Sequence, residues 1–137
     1  MRRVPSPVQL NWGRDHRGLA LRLPEVSGPG ARLEHRIAGA DVNPYLILSG
    51  VLAGMLHGLE NELVPGEPIP DGARDVTGPR LTHDWLSAIE GFAASDFVRE
   101  TFGEAYQNVY SVCRRAEHAA SASVVTDFEY ETYLNRL

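Results

Sequence analysis

The chain has 137 residues, of which 43% are hydrophobic and 23% charged, and its formal net charge at pH 7 is −5. This size and composition are typical of one globular domain with a hydrophobic core. The acidic balance argues against nucleic acid as the main partner, because phosphate-backbone binding needs clustered excess lysine and arginine. The single cysteine, Cys113, excludes an internal disulfide and a cysteine zinc site. It therefore favours a reducing cytoplasm as the location.

The chain before residue 41 predicts loops and strands. Residues 18–24 alternate weakly in hydrophobicity and end at a proline, as a short strand does, and residues 25–30 carry a strong turn signal. Residues 31–37 alternate between charged and apolar side chains, which predicts a second strand with two distinct faces. The charged face comprises Arg32, Glu34 and Arg36, and the apolar face comprises Leu33, His35 and Ile37. The two segments predict a β-hairpin or neighbouring strands of one sheet.

From residue 41 onward the pattern is mainly helical. Asn43 suits the cap of a helix that Pro44 opens, and residues 45–59 are apolar nearly all round, which predicts a buried helix. This apolar stretch is too short to predict a membrane span. Residues 62–79 are rich in proline and glycine, and a loop of that length is typical of a functional or interface segment.

Four further helices are predicted in the last part of the chain. They cover residues 82–94 with Thr82 as cap, a short stretch to residue 102 capped by Ser95 or Asp96, residues 104–121, and residues 128–137 capped by Thr126 or Asp127. Cys113 is expected in the core of the third. Phe128, Tyr130, Tyr133 and Leu134 are expected to pack as a stripe on the last. The sequence thus predicts an α+β fold, a short antiparallel β piece followed by a helical cluster.

The charged strand face is the first candidate for a functional site. Together with Arg17 and Arg22, its side chains place four arginines and one carboxylate within residues 17–36. Arginines can stabilise a phosphoryl group in transfer, and a carboxylate among them can hold Mg²⁺ that bridges phosphate oxygens. The alternative is a solvated sheet face whose ion pairs satisfy one another. The histidines show no metal-site spacing, and no phosphate-binding loop or GxSxG motif is present.

Four sequence motifs follow one another at compatible spacing. They are Trp12-Gly13-Arg14-Asp15-His16-Arg17, Ala20-Leu21-Arg22-Leu23-Pro24, Arg32-Leu33-Glu34-His35-Arg36 and Asn43-Pro44-Tyr45-Leu46. Together they resemble the closing part of glutamine synthetase catalytic domains, and the later helices are similar too. The resemblance covers nearly the whole chain. It implies that residues 1–137 are part of such a domain, in which residues 1–40 carry the charged site face and residues 41–137 are mainly helical with a loop at 62–79.

The resembled family joins glutamate to ammonia, or in some branches to an amine, using ATP and Mg²⁺ or Mn²⁺. The reaction passes through γ-glutamyl phosphate. The resemblance implies a role for each charged residue. Arg17 would contact the transferring phosphate, Arg22 and Arg32 the phosphates of ATP, and Arg36 the substrate glutamate, while Glu34 would be a metal ligand. The ending of the chain is similar to the branch that uses polyamines.

Two departures from the family pattern qualify this interpretation. His16 stands where the family has asparagine. The family's glutamate-rich metal strands, its nucleotide loop and its smaller amino-terminal domain precede the part that this sequence matches. We therefore expect little or no ligase activity from the isolated chain. We expect it to associate as a homo-oligomer or with a missing amino-terminal chain, and we expect neither nucleic acid nor a membrane as a partner. The alternatives are a non-catalytic helical interaction module and an anion-binding protein that uses the same arginines.

Overall fold

The computed structural model describes residues 9–73 and 78–134. The chain consists of two compact units, Met1–Leu81 and Thr82–Leu137. Within the described residues, the first unit holds three strands and a long helix, and the second holds four helices. The predicted α+β class is therefore confirmed. Residues 74–77 of the predicted loop and residues 135–137 of the predicted last helix lie outside the described residues.

The sheet of the first unit is built around the predicted hairpin. Strands β1 (Trp12–Gly13), β2 (Leu21–Glu25) and β3 (Arg32–His35) lie side by side in that order. Strand β1 runs parallel to β2, and β2 runs antiparallel to β3. A short 3-10 turn at Gly28–Gly30 joins β2 to β3, and Gly28 adopts a φ of 67°, a conformation that suits a residue without Cβ. The antiparallel pair corresponds to the first of the two predicted arrangements, a β-hairpin.

Part of the loop that follows the long helix pairs with β1. The backbone N–H of Ile69 donates to the carbonyl of Trp12 at 2.8 Å, and the indole N–H of Trp12 donates to the carbonyl of Gly66 at 2.7 Å. Gly13 is wedged between Ile69 and the fully buried Leu19, which leaves no space for a Cβ atom. The loop therefore acts as an additional backbone segment beside β1.

Helix α1 (Pro44–Glu60) begins where the sequence predicts. The side chain of Asn43 accepts hydrogen bonds from the backbone N–H groups of Tyr45 and Leu46. The expectation that this helix is buried was wrong, since none of its residues is buried and Tyr45 and Leu59 are 80% and 77% exposed. Helix α1 does not pack extensively against any other helix or strand of the described residues, so nothing there covers its apolar side chains.

The second unit contains four helices with well-defined ends. They are α2 (Trp85–Ala94), α3 (Asp96–Phe102), α4 (Glu104–Ala122) and α5 (Asp127–Leu134). The predicted cap of α2 was wrong, because Asp84 rather than Thr82 accepts the hydrogen bond from the backbone N–H of Ser87, at 2.7 Å. Of the two predicted caps of α3, Ser95 and Asp96, the structure shows Ser95, and Gly103, with a φ of 85°, separates α3 from α4.

Helices α2 and α4 pack through a small interface that includes a buried amide. Gln107 is buried and donates to the carbonyls of Phe92 and Ser95, both at 2.9 Å. Cys113 is exposed rather than in the core, because it lies two residues from the buried Ser111 and so on the opposite face of α4. The expected packing stripe of the last helix is also exposed, at Phe128, Tyr130, Tyr133 and Leu134. None of the helices in the described part of the chain has both the length and the hydropathy that crossing a bilayer requires.

Candidate functional site

The carboxylate of Glu34 lies at the centre of a cluster of three arginines. Glu34 faces Arg22 across the β2–β3 pair, and Nη1 of Arg22 donates to both carboxylate oxygens, at 3.2 and 3.0 Å. Nε of Arg32 donates to Oε1 of Glu34 at 3.3 Å, and Nη1 of Arg36 lies 3.6 Å from Oε2. The structure thus joins the side chains of Arg22, Arg32, Glu34 and Arg36, four of the five residues predicted for the site.

The alternation of side chains in β3 explains this convergence. Successive residues of a strand point to opposite faces, so Glu34 and Arg36 share one face. The backbone N–H of Arg36 donates to the carbonyl of Ala20 at 2.9 Å, which continues the β2–β3 ladder beyond the strand end. On the other face, His35 and Ile37 line an apolar depression of about 370 Å³. The predicted division between a charged face and an apolar face is therefore present in the sheet.

A second carboxylate, Asp15, was absent from the residues predicted for the site. Nη2 of Arg22 donates to Oδ1 of Asp15 at 3.0 Å; the Arg22 side chain is 15% exposed and that of Asp15 is 79% exposed. The backbone N–H of Asp15 in turn donates to Oδ1 of Asp71 at 3.2 Å. Asp15 lies inside the first sequence motif, next to His16, but only the folding of the β1–β2 loop brings it to Arg22.

The backbone carbonyl of Arg17 contacts the cluster. Its carbonyl oxygen accepts a hydrogen bond from Nε of Arg36 at 3.2 Å, and the residue itself is exposed. His16 closes the local turn, since its Nδ1 accepts from the backbone N–H of Gly18 at 3.0 Å. Asparagine side chains make a similar bond to the backbone two residues on. His16 therefore maintains the turn at the position where the resemblance expects asparagine.

Hydrogen bonds between the charged groups keep the cluster ionised. Those from Arg22 lower the pKa of the Glu34 carboxyl, an effect larger than the opposing effect of its desolvation. Hydrogen bonds to Glu34 and then to Asp15 raise the pKa of the Arg22 guanidinium. Within the cluster, three guanidinium groups face two carboxylates, which leaves an excess of positive charge. Nε of Arg22 is buried and has no hydrogen-bond partner among the described residues. The arrangement therefore suits an anion.

The described residues do not form a complete metal site. Residues 9–73 and 78–134 contain no group of three or more His, Cys, Asp and Glu side chains that could hold a metal ion. Glu34 could supply one oxygen ligand to an ion whose other ligands are water and phosphate oxygens, as Mg²⁺ prefers. In this structure, however, arginines occupy both of its oxygens. The donor set fits an anionic phosphate better than a metal ion held by the described residues alone.

Comparison with known proteins places the chain in a family. The family model for the glutamine synthetase catalytic domain matches residues 1–133. The chain belongs to this family. The gamma-glutamylputrescine synthetase PuuA of Escherichia coli strain K12 is 35% identical over 128 residues, which make up 93% of this chain and 27% of that protein. A glutamine synthetase of Methanosarcina mazei is 32% identical over 140 residues, covering 96% of this chain and 31% of that protein.

Relatives with other amine substrates in their names are similarly close. A glutamate–isopropylamine ligase of a Pseudomonas species is 34% identical over 129 residues, covering 91% of this chain and 28% of that protein. The solved structure of apo GmaS without ligand superimposes with a TM-score of 0.76 at 27% identity, covering 94% of this chain and 30% of that chain. This glutamine synthetase family chain thus spans only about a third or less of the length of these relatives. The family predicted from the sequence motifs is confirmed.

Proposed function

We propose that the chain supplies the arginine and glutamate part of a site that joins glutamate to ammonia or an amine at the expense of ATP. The observation that carries this proposal is the convergence of Arg22, Arg32 and Arg36 on Glu34. Membership of the glutamine synthetase family implies the use of ATP and a divalent metal in general. The names of the relatives describe ligases that act on glutamate with putrescine or isopropylamine.

Each residue has a proposed role in this reaction. Arg22 and Arg32 bind the phosphates of ATP, Arg36 holds the carboxylate of the substrate glutamate, and Arg17 contacts the phosphoryl group in transfer. Glu34 serves as one ligand of a divalent ion, which when bound would neutralise phosphate charge. The remaining metal ligands would have to come from another part of the protein or from a partner subunit, because the described residues lack them.

The chemistry needs electrostatic stabilisation rather than a nucleophile from this chain. The side-chain carboxylate of glutamate attacks the γ-phosphorus and ADP leaves, after which the amine nitrogen attacks the acyl carbon, phosphate leaves and the nitrogen loses a proton. Negative charge moves between the leaving and attacking oxygens during the first step. Fixed guanidinium groups stabilise that charge without reorganising, and such electrostatic stabilisation usually contributes most to the catalysis of phosphoryl transfer. The arginine cluster provides such groups.

The first experiment establishes which polypeptide performs the reaction. An antibody against this chain gives the mass and the oligomeric state of the natural polypeptide in its source cells and allows its purification. Glutamate-dependent ADP formation is then measured with ammonium, putrescine, ethanolamine and isopropylamine, and hydroxylamine is used to trap γ-glutamyl phosphate. We expect activity with at least one amine, its loss in Glu34→Ala, and little or no activity of the isolated chain. An inactive natural polypeptide, or full activity of Glu34→Ala, would contradict the proposal.

An anion-binding protein is a second candidate, favoured by the three guanidinium groups that converge on one carboxylate. The variant Glu34→Gln separates the two functions. If the ligase proposal is correct, this substitution weakens binding of ATP in the presence of Mg²⁺, because a metal ligand is lost. If the cluster only binds anions, Glu34→Gln leaves the affinity for inorganic triphosphate unchanged or increases it, with or without Mg²⁺. Calorimetry on the natural polypeptide measures both affinities, and Glu67→Gln, an exposed carboxylate of the loop, is the control.

A further inference from the structure

A continuous path of hydrogen bonds links the loop after helix α1 to the arginine cluster. Oδ1 of Asp71 accepts from the backbone N–H of Asp15 at 3.2 Å. Oδ1 of Asp15 accepts from Nη2 of Arg22 at 3.0 Å, and Nη1 of the same guanidinium donates to Glu34. The loop and the site are therefore connected through Asp15, a residue to which the proposed function gives no role.

The loop end of this path is anchored by backbone contacts. Ile69 donates to the carbonyl of Trp12 and forms a bridge with Gly13, while the indole of Trp12 donates to the carbonyl of Gly66. These contacts fix the loop two residues before Asp71. Asp71 thus meets Asp15 from a segment that is itself paired with β1, and the loop can hold the β1–β2 turn in place.

The other end of the path explains what Asp15 does for Arg22. The guanidinium is held like a fork, with Nη1 on Glu34 and Nη2 on Asp15, and its Nε has no partner among the described residues. When Glu34 binds a ligand instead, Asp15 is the remaining carboxylate that holds this guanidinium. Orientation matters here because an arginine recognises phosphate through a planar pair of donors.

We infer that Asp15, held by Asp71 of the loop, is a positioning residue that fixes the Arg22 guanidinium for phosphate binding. The inference rests on the proposed function for the role of Arg22 toward ATP. It gives the loop of residues 62–73 a function, because this loop would fix the orientation of the Arg22 side chain, which is far away in the sequence. It also predicts that Asp15 acts only through Arg22.

A double-mutant cycle on ATP affinity tests this dependence in the natural polypeptide. We expect Asp15→Asn to weaken Mg²⁺–ATP binding by about 1.4-fold to fivefold, the range for a largely exposed ion pair. Asp71→Ala should weaken it by about twofold, because it acts on Asp15 through a single exposed hydrogen bond. In an Arg22→Gln background, Asp15→Asn should have no further effect. The loop control Glu67→Gln should leave the affinity unchanged.

The orientation of the Arg22 guanidinium can be followed without measuring activity, through the NMR signal of its Nε–Hε group. This signal is assigned by its loss in Arg22→Gln. We expect Asp15→Asn and Asp71→Ala to shift or broaden this signal and Glu67→Gln to leave it intact. If the wild type fails to bind ATP while the signal responds, the proposed function fails and the positioning role stands. If the signal does not respond, or if Asp15→Asn weakens ATP binding equally in the Arg22→Gln background, the positioning role is overturned. Should Asp15→Asn unfold the protein, Asp71→Ala carries the same test, because it leaves the charge of Asp15 in place.

Discussion

Replacing Gly13 by alanine should destabilise the first unit through a clash that the structure locates. An added Cβ atom would lie 2.7 Å from the carbonyl oxygen of Ile69 and 2.9 Å from Cδ1 of Leu19. Leu19 is fully buried, and Ile69 belongs to the backbone segment paired with β1. Neither neighbour is a flexible side-chain end at the surface, so the loop and β1 must move apart.

The size of the effect follows from the two interactions that this movement disturbs. Inserting a methyl group into a packed core costs typically about 1–3 kcal/mol. Weakening the hydrogen bond from Ile69 to Trp12, which is 2.8 Å long, adds roughly 0.5–1 kcal/mol. We therefore expect Gly13→Ala to lower the free energy of unfolding by about 2–3 kcal/mol. The same shift would displace the β1–β2 turn that carries Asp15.

Urea unfolding followed by tryptophan fluorescence measures this loss. A Trp85→Phe background leaves Trp12 as the reporter, and Trp12 lies beside the substituted residue. Gly66→Ala is the matched control, because nothing lies within 4 Å of its added Cβ and its effect should stay within about 0.5 kcal/mol. A Gly13→Ala loss no larger than that of Gly66→Ala would refute the argument from packing.

Three further predictions concern single contacts. Gln107→Ala removes the buried amide that satisfies two carbonyls and should cost about 2–3 kcal/mol in urea unfolding. Thr126→Ala removes the reciprocal cap in which the hydroxyl accepts from the Glu129 N–H and the Glu129 carboxylate accepts from Thr126. It should cost about 1 kcal/mol and reduce the helical circular dichroism signal. The pKa of Glu34 is lowered from an ordinary value of 4.5, so its pairing with Arg22 stabilises the fold above that pH, and this contribution is lost as the pH falls through the lowered pKa. The difference in stability between wild type and Glu34→Gln should therefore be full at pH 7 and shrink below pH 4.5, and a difference that does not depend on pH would contradict it.

Local patterns in the sequence predicted the elements that depend on local geometry. The hairpin followed from the alternation in residues 31–37, and the start of α1 from Asn43. The cap of α2 was misplaced by two residues because Thr82 and Asp84 are both good capping residues, and only the hydrogen bond to Ser87 distinguishes them. Such choices are decided by backbone geometry that the residue types alone do not specify.

Features that depend on contacts between residues far apart in the chain could not be predicted from the sequence. Asp15 meets a residue 56 positions away, and the indole of Trp12 meets one 54 positions away. No periodic pattern in the sequence indicates either contact. Burial of α1 was predicted from its composition, but composition reports only that a helix favours being covered, and no other described helix or strand packs extensively against it. The charged face was predictable because a strand places alternate residues together, whatever their partners are.

The self-paired state of the cluster and its proposed role in binding phosphate are compatible. Three arginines can lie close together in the absence of a ligand because Glu34 and Asp15 compensate their charge. Nη1 and Nη2 of Arg22 each donate to a carboxylate, but a guanidinium has five N–H groups, so a phosphate can bind to the remaining donors as well as replace a carboxylate. Glu34 shares its oxygens among three guanidinium groups, whereas Asp15 holds only Arg22. Exchange at Glu34 would free donors on all three arginines at once, and exchange at Asp15 would free only one. All three arginines therefore become available to phosphate together when Glu34 turns to another ligand, such as the divalent ion that we propose it binds, and Asp15 can remain on Nη2 of Arg22. Removing the charge of Glu34 and removing the charge of Asp15 should therefore have different consequences for the same arginine.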